Sequence, residues 1–382
     1  MKYYIIAGEA SGDLHGSNLI KEIKKIDKNS EFRCWGGDLI KAESGNLVKH
    51  YKDYSYMGFL EVFKNLIKIL GNISKCKKDI MNYSPDAIIY VDFPGFNMRI
   101  AKWAKSKKFK NHFYISPQIW AWKESRIKTI RKVIDQMFVI LPFEEDYYKN
   151  LKYEVFYVGH PLLDVLKKKE RENQKREKLI ALLPGSRDQE ISKILPEMLT
   201  VVKDFKDYKF IICAAPSKNK HFYEKYIEKI DARNIEIAEN QTYDILKKSS
   251  AALVTSGTAT LEAALIKTPQ VVCYKSSWVS FQIGKYLLKN LKFISLVNLI
   301  LGKSAITELI QGELNYKNIK EELKIILNED GRKKVLNFYK DLENLLNKEG
   351  ASKETAKKII NYHLESNSYT NDSKNLLKSS WD

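Results

Sequence analysis

The stretch Ala252-Leu-Val-Thr-Ser-Gly-Thr-Ala-Thr-Leu-Glu-Ala-Ala-Leu265 decides the fold of this chain. Its apolar run breaks at Ser256-Gly257-Thr258, and a helix-forming run follows. An order of strand, glycine turn and helix is typical of α/β folds with a parallel sheet. Such a turn directs backbone N–H groups and the positive end of a helix dipole towards one point, which suits a phosphate. The stretch therefore predicts a phosphate-binding turn.

The helix after this turn carries one carboxylate, Glu262, four residues after Thr258. At that spacing both side chains can face the same side of the helix. Glu262 is one residue too late for a capping box with Thr258, so its carboxylate can accept hydrogen bonds from two sugar hydroxyls. An ordinary strand-to-helix connection with a solvated Glu262 is an equally good interpretation of this pattern alone.

Length and net charge limit the number of domains and the kinds of partner that we expect. A chain of 382 residues favours two or three domains. Its net charge of +18 favours an anionic partner, such as nucleic acid, an acidic membrane or a phosphorylated substrate. A solvated lysine-rich surface explains the same excess. Because the lysines are spread along the chain and are not clustered with stacking aromatics, we do not expect a nucleic-acid partner.

Several chemistries have no supporting motif. The four cysteines are widely spaced, so neither a zinc site nor a disulfide framework is expected. There is no Walker P-loop and no Asp-x-Asp pair, which disfavours a motor, a kinase and a metal-chelated nucleotide-sugar site. No apolar stretch reaches about 18 residues, the length that crosses a membrane. We expect no metal and no cofactor.

Two series of strands and helices indicate two Rossmann-like domains. The first opens with the strand Tyr3–Ala7 and a glycine loop over residues 8–16, and the second opens with the strand Leu179–Leu183. The charge-dense run 167–178 is the linker candidate. We therefore predict an N-terminal domain over 1–166, a linker over 167–178, a C-terminal domain with closing helices over 179–365, and a flexible tail over 366–382. The two parallel sheets are expected to face a cleft.

The strand that begins near Pro85 ends on a carboxylate, Asp92, ahead of the turn Phe93-Pro-Gly-Phe-Asn97. Open α/β sheets bind their ligands at the carboxyl ends of strands, so Asp92 lies where chemistry is expected. Capping of the following turn is the alternative role for Asp92. The loop Ser116-Pro-Gln-Ile-Trp-Ala-Trp122 follows a later strand, and its tryptophans either line an acceptor pocket or pack a core under the loop.

Residues Met57–Leu70 have the period of a helix with a wide apolar face. The helix either packs on the sheet or lies in the interface of a membrane, with its lysines at the headgroups. The residues predicted to dock on the membrane are Phe59, Leu60, Phe63, Leu66, Ile67 and Leu70.

A second glycine turn, Pro184-Gly185-Ser186-Arg187, follows the first strand of the C-terminal domain. An arginine beside a helix N-terminus can make bidentate contacts to phosphate. Two such turns suit a diphosphate better than a single phosphate, and Glu262 then suits the ribose of a nucleotide. Without a metal, Arg187 and the helix N-termini must meet the charge of the leaving group.

Taken together, the motifs resemble the lipid-A-disaccharide synthases, which are two-domain glycosyltransferases of the GT-B type. The match covers Tyr3 to Gln311, and seven motifs in one order make it specific. They are Gly8-Glu-Ala-Ser-Gly-Asp13, Met57-Gly-Phe-Leu-Glu-Val62, Val91-Asp-Phe-Pro-Gly-Phe-Asn97, Ser116-Pro-Gln-Ile-Trp-Ala-Trp122, Leu183-Pro-Gly-Ser-Arg187, Ser256-Gly-Thr-Ala-Thr-Leu-Glu262, and Ser295-Leu-Val-Asn298 with Glu308-Leu-Ile-Gln311.

The resemblance implies a reaction between UDP-2,3-diacylglucosamine and 2,3-diacylglucosamine 1-phosphate. The products are the β-1′,6-linked disaccharide phosphate and UDP, with inversion at the donor carbon. It further implies a peripheral enzyme on the cytoplasmic face of the inner membrane. The rival interpretation is another GT-B enzyme that uses UDP-N-acetylglucosamine, either the lipid II-forming transferase or the 2-epimerase.

By the same resemblance, Asp92 is the base for the acceptor 6-hydroxyl. The acceptor side includes Ser11, Gly12, Asp13 and Trp120. The donor side includes Gly185, Ser186, Arg187, Ser256, Gly257, Thr258 and Glu262, with Asn298 and Gln311 near the donor. The sequence departs from the family pattern at Gly95, where the family often has a second acid, and at Val297, where it often has proline.

Overall fold

A computed structural model describes residues 1–54, 65–121, 123–167, 175–228, 230, 233–277, 281–282 and 291–378. The chain divides into two compact units. The N-terminal unit comprises Met1–Asp164 with Lys348–Asp382, and the C-terminal unit comprises Val165–Asn347. Among the described residues, no helix is both long and apolar enough to cross a membrane.

The N-terminal unit contains a parallel sheet with the strand order β3-β2-β1-β4-β5-β6-β7. Its strands are β1 (Lys2–Ala7), β2 (Glu31–Gly36), β3 (Leu47–His50), β4 (Ala87–Val91), β5 (Lys110–Tyr114), β6 (Gln136–Val139) and β7 (Phe156–Tyr157). Its helices are α1 (Ala10–Ile26), α2 (Asp38–Ser44), α3 (Leu66–Tyr83), α4 (Pro94–Ser106), α5 (Ile127–Val133) and α6 (Pro142–Asn150). Helix α7 (Pro161–Lys167) leads into the C-terminal unit.

The central strands β1 and β4 are buried on both faces of this sheet. Tyr4 and Ile6 pack into one core, whereas Tyr3, Ile5 and Ala7 pack into a second core on the other face. This alternation follows from the two-residue period of a strand. A continuous apolar run with helices on both faces is the pattern expected of a parallel sheet.

The C-terminal unit contains a second parallel sheet with the order β10-β9-β8-β11-β12-β13. Its strands are β8 (Glu177–Leu183), β9 (Lys209–Ala214), β10 (Ile235–Glu239), β11 (Ser249–Thr255), β12 (Gln270–Tyr274) and β13 (Glu308–Ile310). Its helices are α8 (Asp188–Leu199), α9 (Lys220–Ile227), α10 (Thr242–Lys248), α11 (Thr258–Leu265), α12 (Leu296–Leu301), α13 (Tyr316–Leu327) and α14 (Glu329–Leu345). Two parallel α/β sheets confirm the predicted fold class.

The last helix, α15 (Ala351–Lys378), belongs to the N-terminal unit, and not to the C-terminal domain as we expected. Its buried residues Ala351, Ala356, Ile359 and Ile360 pack in the core that contains β1 and α1, which explains the return of the chain. The segment 366–378, predicted as a flexible tail, continues this helix because no glycine or proline ends it. Most of the predicted linker, 168–174, lies outside the described residues.

Candidate active site

The predicted base lies at the carboxyl end of β4, in the centre of the N-terminal sheet. Asp92 and Phe93 both adopt left-handed backbone conformations, with φ of 48° and 51°. Two consecutive non-glycine residues in this region carry a conformational cost of about 1–2 kcal/mol each. The side chain of Asn97 offsets part of that cost by donating to the Asp92 carbonyl at 2.6 Å, and the Asp92 N–H donates to Tyr114 O at 3.0 Å. The turn therefore holds the backbone of Asp92 in a defined place.

The glycine loop lies against this turn. A Cβ on Gly8 would overlap the ring of Phe93, so only glycine fits there without a shift of the ring. Glu9, the next residue, is close enough to Asp92 for their charges to interact. Burial, followed by repulsion from Glu9, raises the pKa of Asp92 to about 7, and Glu144 adds a smaller repulsion. A carboxyl group in this range can accept a proton near neutral pH.

The three predicted acceptor-side residues of this loop lie in the first turn of α1, and they differ in exposure. Ser11 is exposed, whereas Gly12 and Asp13 are buried. The carboxylate of Asp13 accepts hydrogen bonds from the backbone N–H groups of Gly37, Leu39 and Ile40, at 2.7, 3.0 and 3.0 Å. Asp13 therefore ties α1 to the first turn of α2, which is a structural function that the sequence pattern did not indicate.

The loop after β5 is organised by a buried carboxylate, Glu144, which the sequence analysis did not select. Glu144 accepts hydrogen bonds from Ser116 Oγ at 2.7 Å and from Trp120 Nε1 at 3.2 Å. It also accepts from the backbone N–H groups of Ile140 and Leu141, at 3.1 and 2.9 Å. Burial raises the pKa of Glu144, although these four hydrogen bonds oppose the rise. Trp120 is thus held by Glu144, while Trp122 lies outside the described residues.

Part of the predicted membrane-docking helix is described. Phe59, Leu60 and Phe63 lie outside the described residues, whereas Leu66, Ile67 and Leu70 form the start of α3. These three side chains are 45%, 86% and 56% exposed, respectively. The neighbouring residue Ile69 is buried in the core, so α3 has one packed face and an exposed apolar start.

Both predicted anion-binding turns lie at the carboxyl edge of the C-terminal sheet. They follow the neighbouring strands β8 and β11, which pair with Leu183 opposite Val254. A Cβ on Gly185 would lie 3.4 Å from Thr255 Cγ2, so the two turns are close to each other. Gly185 and Gly257 have φ of 102° and 144°, a region that favours glycine. The structure therefore brings the two turns together, as the diphosphate hypothesis requires.

The polar groups of these turns differ in exposure. Ser186 and Thr258 are exposed, and the Arg187 side chain is 58% exposed with one N–H donating to Glu190 Oε1 at 3.1 Å. The Ser256 hydroxyl donates to Ile294 O at 2.8 Å. Helices α8 and α11 begin directly after the two turns, so their positive ends point to the same edge.

Glu262 lies on the first turns of α11 and is partly buried. Its Oε1 accepts a hydrogen bond from the Tyr243 hydroxyl at 3.1 Å. Burial raises the pKa of Glu262, and the Tyr243 hydrogen bond opposes the rise. Tyr243 was not selected from the sequence, because a tyrosine in a short helix before a strand carries no motif.

The two remaining predicted donor residues have structural partners. Asn298 is fully buried, and its amide donates to Ile306 O and Glu308 Oε1, both at 2.9 Å. Its carbonyl oxygen accepts from Ala305 N and Ile306 N. Gln311 is left-handed, with φ of 54°, and accepts from Ser276 N at 2.7 Å. These contacts indicate that Asn298 shapes the loop around it.

Glu308 is a further residue whose function the sequence analysis missed. It accepts from Ile294 N and Ser295 N, both at 2.9 Å, and from Ser295 Oγ at 2.6 Å. Because Ser256 donates to Ile294 O, Glu308 anchors the segment that the second anion-binding turn contacts. Its place in the Glu308-Leu-Ile-Gln311 motif was the available signal.

Two parallel α/β units, one with a partly buried carboxylate at a strand end and the other with paired glycine turns, define the GT-B class of nucleotide-sugar enzymes. A co-structure of S. aureus MnaA with UDP has this fold, with a TM-score of 0.67, 14% identity and coverage of 95% of this chain and 97% of that one. So does UDP-GlcNAc 2-epimerase from Neisseria meningitidis bound to UDP-GlcNAc, with a TM-score of 0.61, 13% identity and coverage of 96% and 100%. At such identities the likeness concerns the fold alone.

Sequence relatives define the family. The model of the lipid-A-disaccharide synthetase family matches residues 3–360, so the chain belongs to that family. The lipid-A-disaccharide synthase of Syntrophus aciditrophicus (strain SB) is 37% identical over 358 residues, covering 91% of this chain and 93% of the relative. That of Francisella tularensis subsp. tularensis (strain WY96-3418) is 38% identical over 350 residues, covering 87% and 91%.

Proposed function

We propose that this chain joins UDP-2,3-diacylglucosamine to 2,3-diacylglucosamine 1-phosphate, giving the β-1′,6-linked disaccharide 1-phosphate and UDP. Family membership supports the reaction. The geometric observation that carries it is the position of Asp92: a carboxyl group at the carboxyl end of a central strand, fixed by a left-handed turn, with a pKa raised to about 7.

The reaction is a single displacement with inversion. The acceptor 6-hydroxyl oxygen attacks the donor anomeric carbon, and its proton passes to the carboxylate of Asp92 as the new C–O bond forms. The bond from the anomeric carbon to the diphosphate oxygen breaks, and UDP leaves with that electron pair. Asp92 must be ionised before the step, so the rate rises with pH through its pKa.

The C-terminal unit holds UDP. The two glycine turns bind the diphosphate through backbone N–H groups at the starts of α8 and α11, and the exposed guanidinium of Arg187 meets the charge that develops on the leaving group. Glu262 accepts hydrogen bonds from the ribose. Ser186, Ser256, Thr258 and Gln311 complete this side, and Asn298 acts by shaping its loop.

The N-terminal unit holds the acceptor sugar. Exposed Ser11, at the start of α1, and the ring of Trp120 are the groups that contact the acceptor. Gly12 permits close approach of the backbone, and Asp13 positions the loop through its three hydrogen bonds.

The enzyme docks on an acidic membrane through the start of α3. Leu66, Ile67 and Leu70 are exposed, and Lys68 lies among them. Apolar side chains beside lysines on a helix favour the interface of anionic lipids. Together with the acylated substrates, this surface supports a peripheral position on the cytoplasmic face of the inner membrane. Vesicle sedimentation tests the surface: the variant with serine at 66, 67 and 70 should stay in the supernatant, whereas Met81→Ser, at an exposed position near the other end of α3, should bind as wild type.

An assay of the purified chain tests the reaction. With both diacylated substrates and EDTA in place of metal, we expect stoichiometric release of UDP and a disaccharide phosphate whose mass equals that of the two substrates together minus that of UDP. UDP-N-acetylglucosamine as the donor should give no product. Turnover or 2-epimerisation of UDP-N-acetylglucosamine, with no disaccharide from the acylated pair, would favour the rival GT-B enzymes.

A further inference from the structure

We infer that Tyr243 is a positioning residue for nucleotide binding, which holds Glu262 so that its carboxylate faces the ribose hydroxyls of UDP. The inference rests on the proposed function, since it takes UDP as the ligand of the C-terminal unit. It assigns a function to a residue that no glycine turn or family motif marks.

The geometry places the two residues on neighbouring helices. Tyr243 is the second residue of α10, and Glu262 is the fifth residue of α11. Ile245 and Leu246 of α10 and Ala263 of α11 belong to the same buried apolar core, so both helices are packed on that core. The 3.1 Å hydrogen bond from Tyr243 Oη to Glu262 Oε1 therefore joins two fixed helices.

The hydrogen bond from Tyr243 stabilises the negative charge of Glu262. A partly buried carboxylate has lost hydration, and a donor that contacts it recovers part of that loss. Burial and the negative charge of Glu262 raise the pKa of Tyr243, so its phenol keeps its proton and remains a donor at any pH the enzyme meets. With Oε1 held by Tyr243, rotation of the carboxylate is restricted and Oε2 stays oriented for a ribose hydroxyl.

Pre-orientation of this kind changes affinity for one class of ligand only. A ligand with both ribose hydroxyls gains from an oriented carboxylate, because less rotational freedom is lost on binding. A ligand without those hydroxyls gains nothing from it. A purely structural hydrogen bond between α10 and α11 would instead affect both ligands alike.

The experiment measures Kd by calorimetry for the full chain with UDP and with 2′,3′-dideoxy-UDP. For Tyr243→Phe we expect UDP to bind about 3–10-fold more weakly, the range for the net contribution of one ordinary hydrogen bond, and dideoxy-UDP to change less than about 2-fold. In a Glu262→Gln background, Tyr243→Phe should add less than about 2-fold, since the effect acts through the carboxylate. Tyr208→Phe, at the opposite edge of the sheet beside the first residue of β9, is the matched control and should match wild type.

Three results would overturn the inference: equal weakening of both ligands, an undiminished effect of Tyr243→Phe beside Glu262→Gln, or unchanged or tighter UDP binding in Tyr243→Phe. If wild type itself binds no UDP, the proposed function fails together with the inference. If wild type binds UDP and Tyr243→Phe behaves as wild type, only the inference fails.

Discussion

Gly8 lies directly against the ring of Phe93, so close that a Cβ at position 8 would overlap ring atoms. This relationship joins the glycine loop after β1 to the left-handed turn that presents Asp92. The loop has a glycine there because the turn occupies the space of a side chain.

Gly8→Ala should therefore displace Phe93 and, with it, Asp92. Small shifts cannot relieve the overlap, because the overlapped atoms belong to the base of a packed ring. We expect a loss of activity of at least about 10-fold together with a destabilisation of about 1–3 kcal/mol. Gly71→Ala is the control, since a Cβ at that exposed helical position meets nothing within 4 Å. Steady-state rates and thermal unfolding of the two variants distinguish a positional effect from general intolerance of alanine.

The pH dependence of catalysis should report Asp92. Burial and the charge of Glu9 raise its pKa to about 7, so kcat/KM should rise with pH and reach half of its plateau near pH 7. Glu9→Gln removes a repelling negative charge, which lowers the pKa of Asp92 and moves the rising limb to lower pH. Glu31→Gln, at the opposite edge of the sheet, should leave the profile unchanged. If the profile of Glu9→Gln stays in place or moves to higher pH, the ionisation of another group causes the rise of kcat/KM with pH.

The free energy of unfolding should also depend on pH because of the raised pKa of Asp92. Between about pH 4 and pH 7 the folded chain holds a proton on Asp92 that the unfolded chain has released, so the contribution of this group to stability falls as pH rises. Asp92→Asn cannot ionise, and asparagine tolerates the left-handed backbone. The variant should gain about 1–2 kcal/mol over wild type at pH 8 and little at pH 4, since the partly exposed carboxyl keeps some hydration. Thermal unfolding across this range, with exposed Asp146→Asn as the control, measures the difference; a gain that does not grow with pH would be inconsistent with a raised pKa.

The loop that carries Trp120 should depend on Glu144. Glu144→Gln replaces one accepting oxygen by a donor, which leaves buried N–H or O–H donors without an acceptor, and we expect a destabilisation of about 2–4 kcal/mol with a raised KM for the acceptor. Glu145→Gln alters the adjacent, exposed carboxylate and should be neutral. Equal unfolding temperatures for the two variants would mean that Glu144 does not organise the loop.

The sequence predicted the central strands of both sheets and missed strands near their margins. Buried apolar runs such as Gln270–Tyr274 predict a strand from their local sequence alone. Strand β10 alternates between charged and half-buried residues, and β13 has only three residues, so neither has a run that stands out. Tertiary pairing with β9 and β12 forms these strands.

The sequence indicated candidate site residues where they stand at a strand end or in a glycine turn. Asp92, Gly185 and Gly257 follow apolar runs and were found for that reason. Glu144 and Tyr243 were not, because their partners come from distant segments and no local spacing marks them. For the same reason the sequence pattern did not show that the side chains of Asp13 and Asn298 accept hydrogen bonds from backbone N–H groups of their own unit.

Asp92 is tested as the base most directly by the activity of Asp92→Asn, measured as kcat/KM with both diacylated substrates, beside its Kd for UDP. If Asp92 is the base, kcat/KM should fall by at least about 100-fold, the usual contribution of a general base, while the Kd for UDP stays within about 2-fold of wild type. Near wild-type turnover by a correctly folded Asp92→Asn protein would show that Asp92 is not the base.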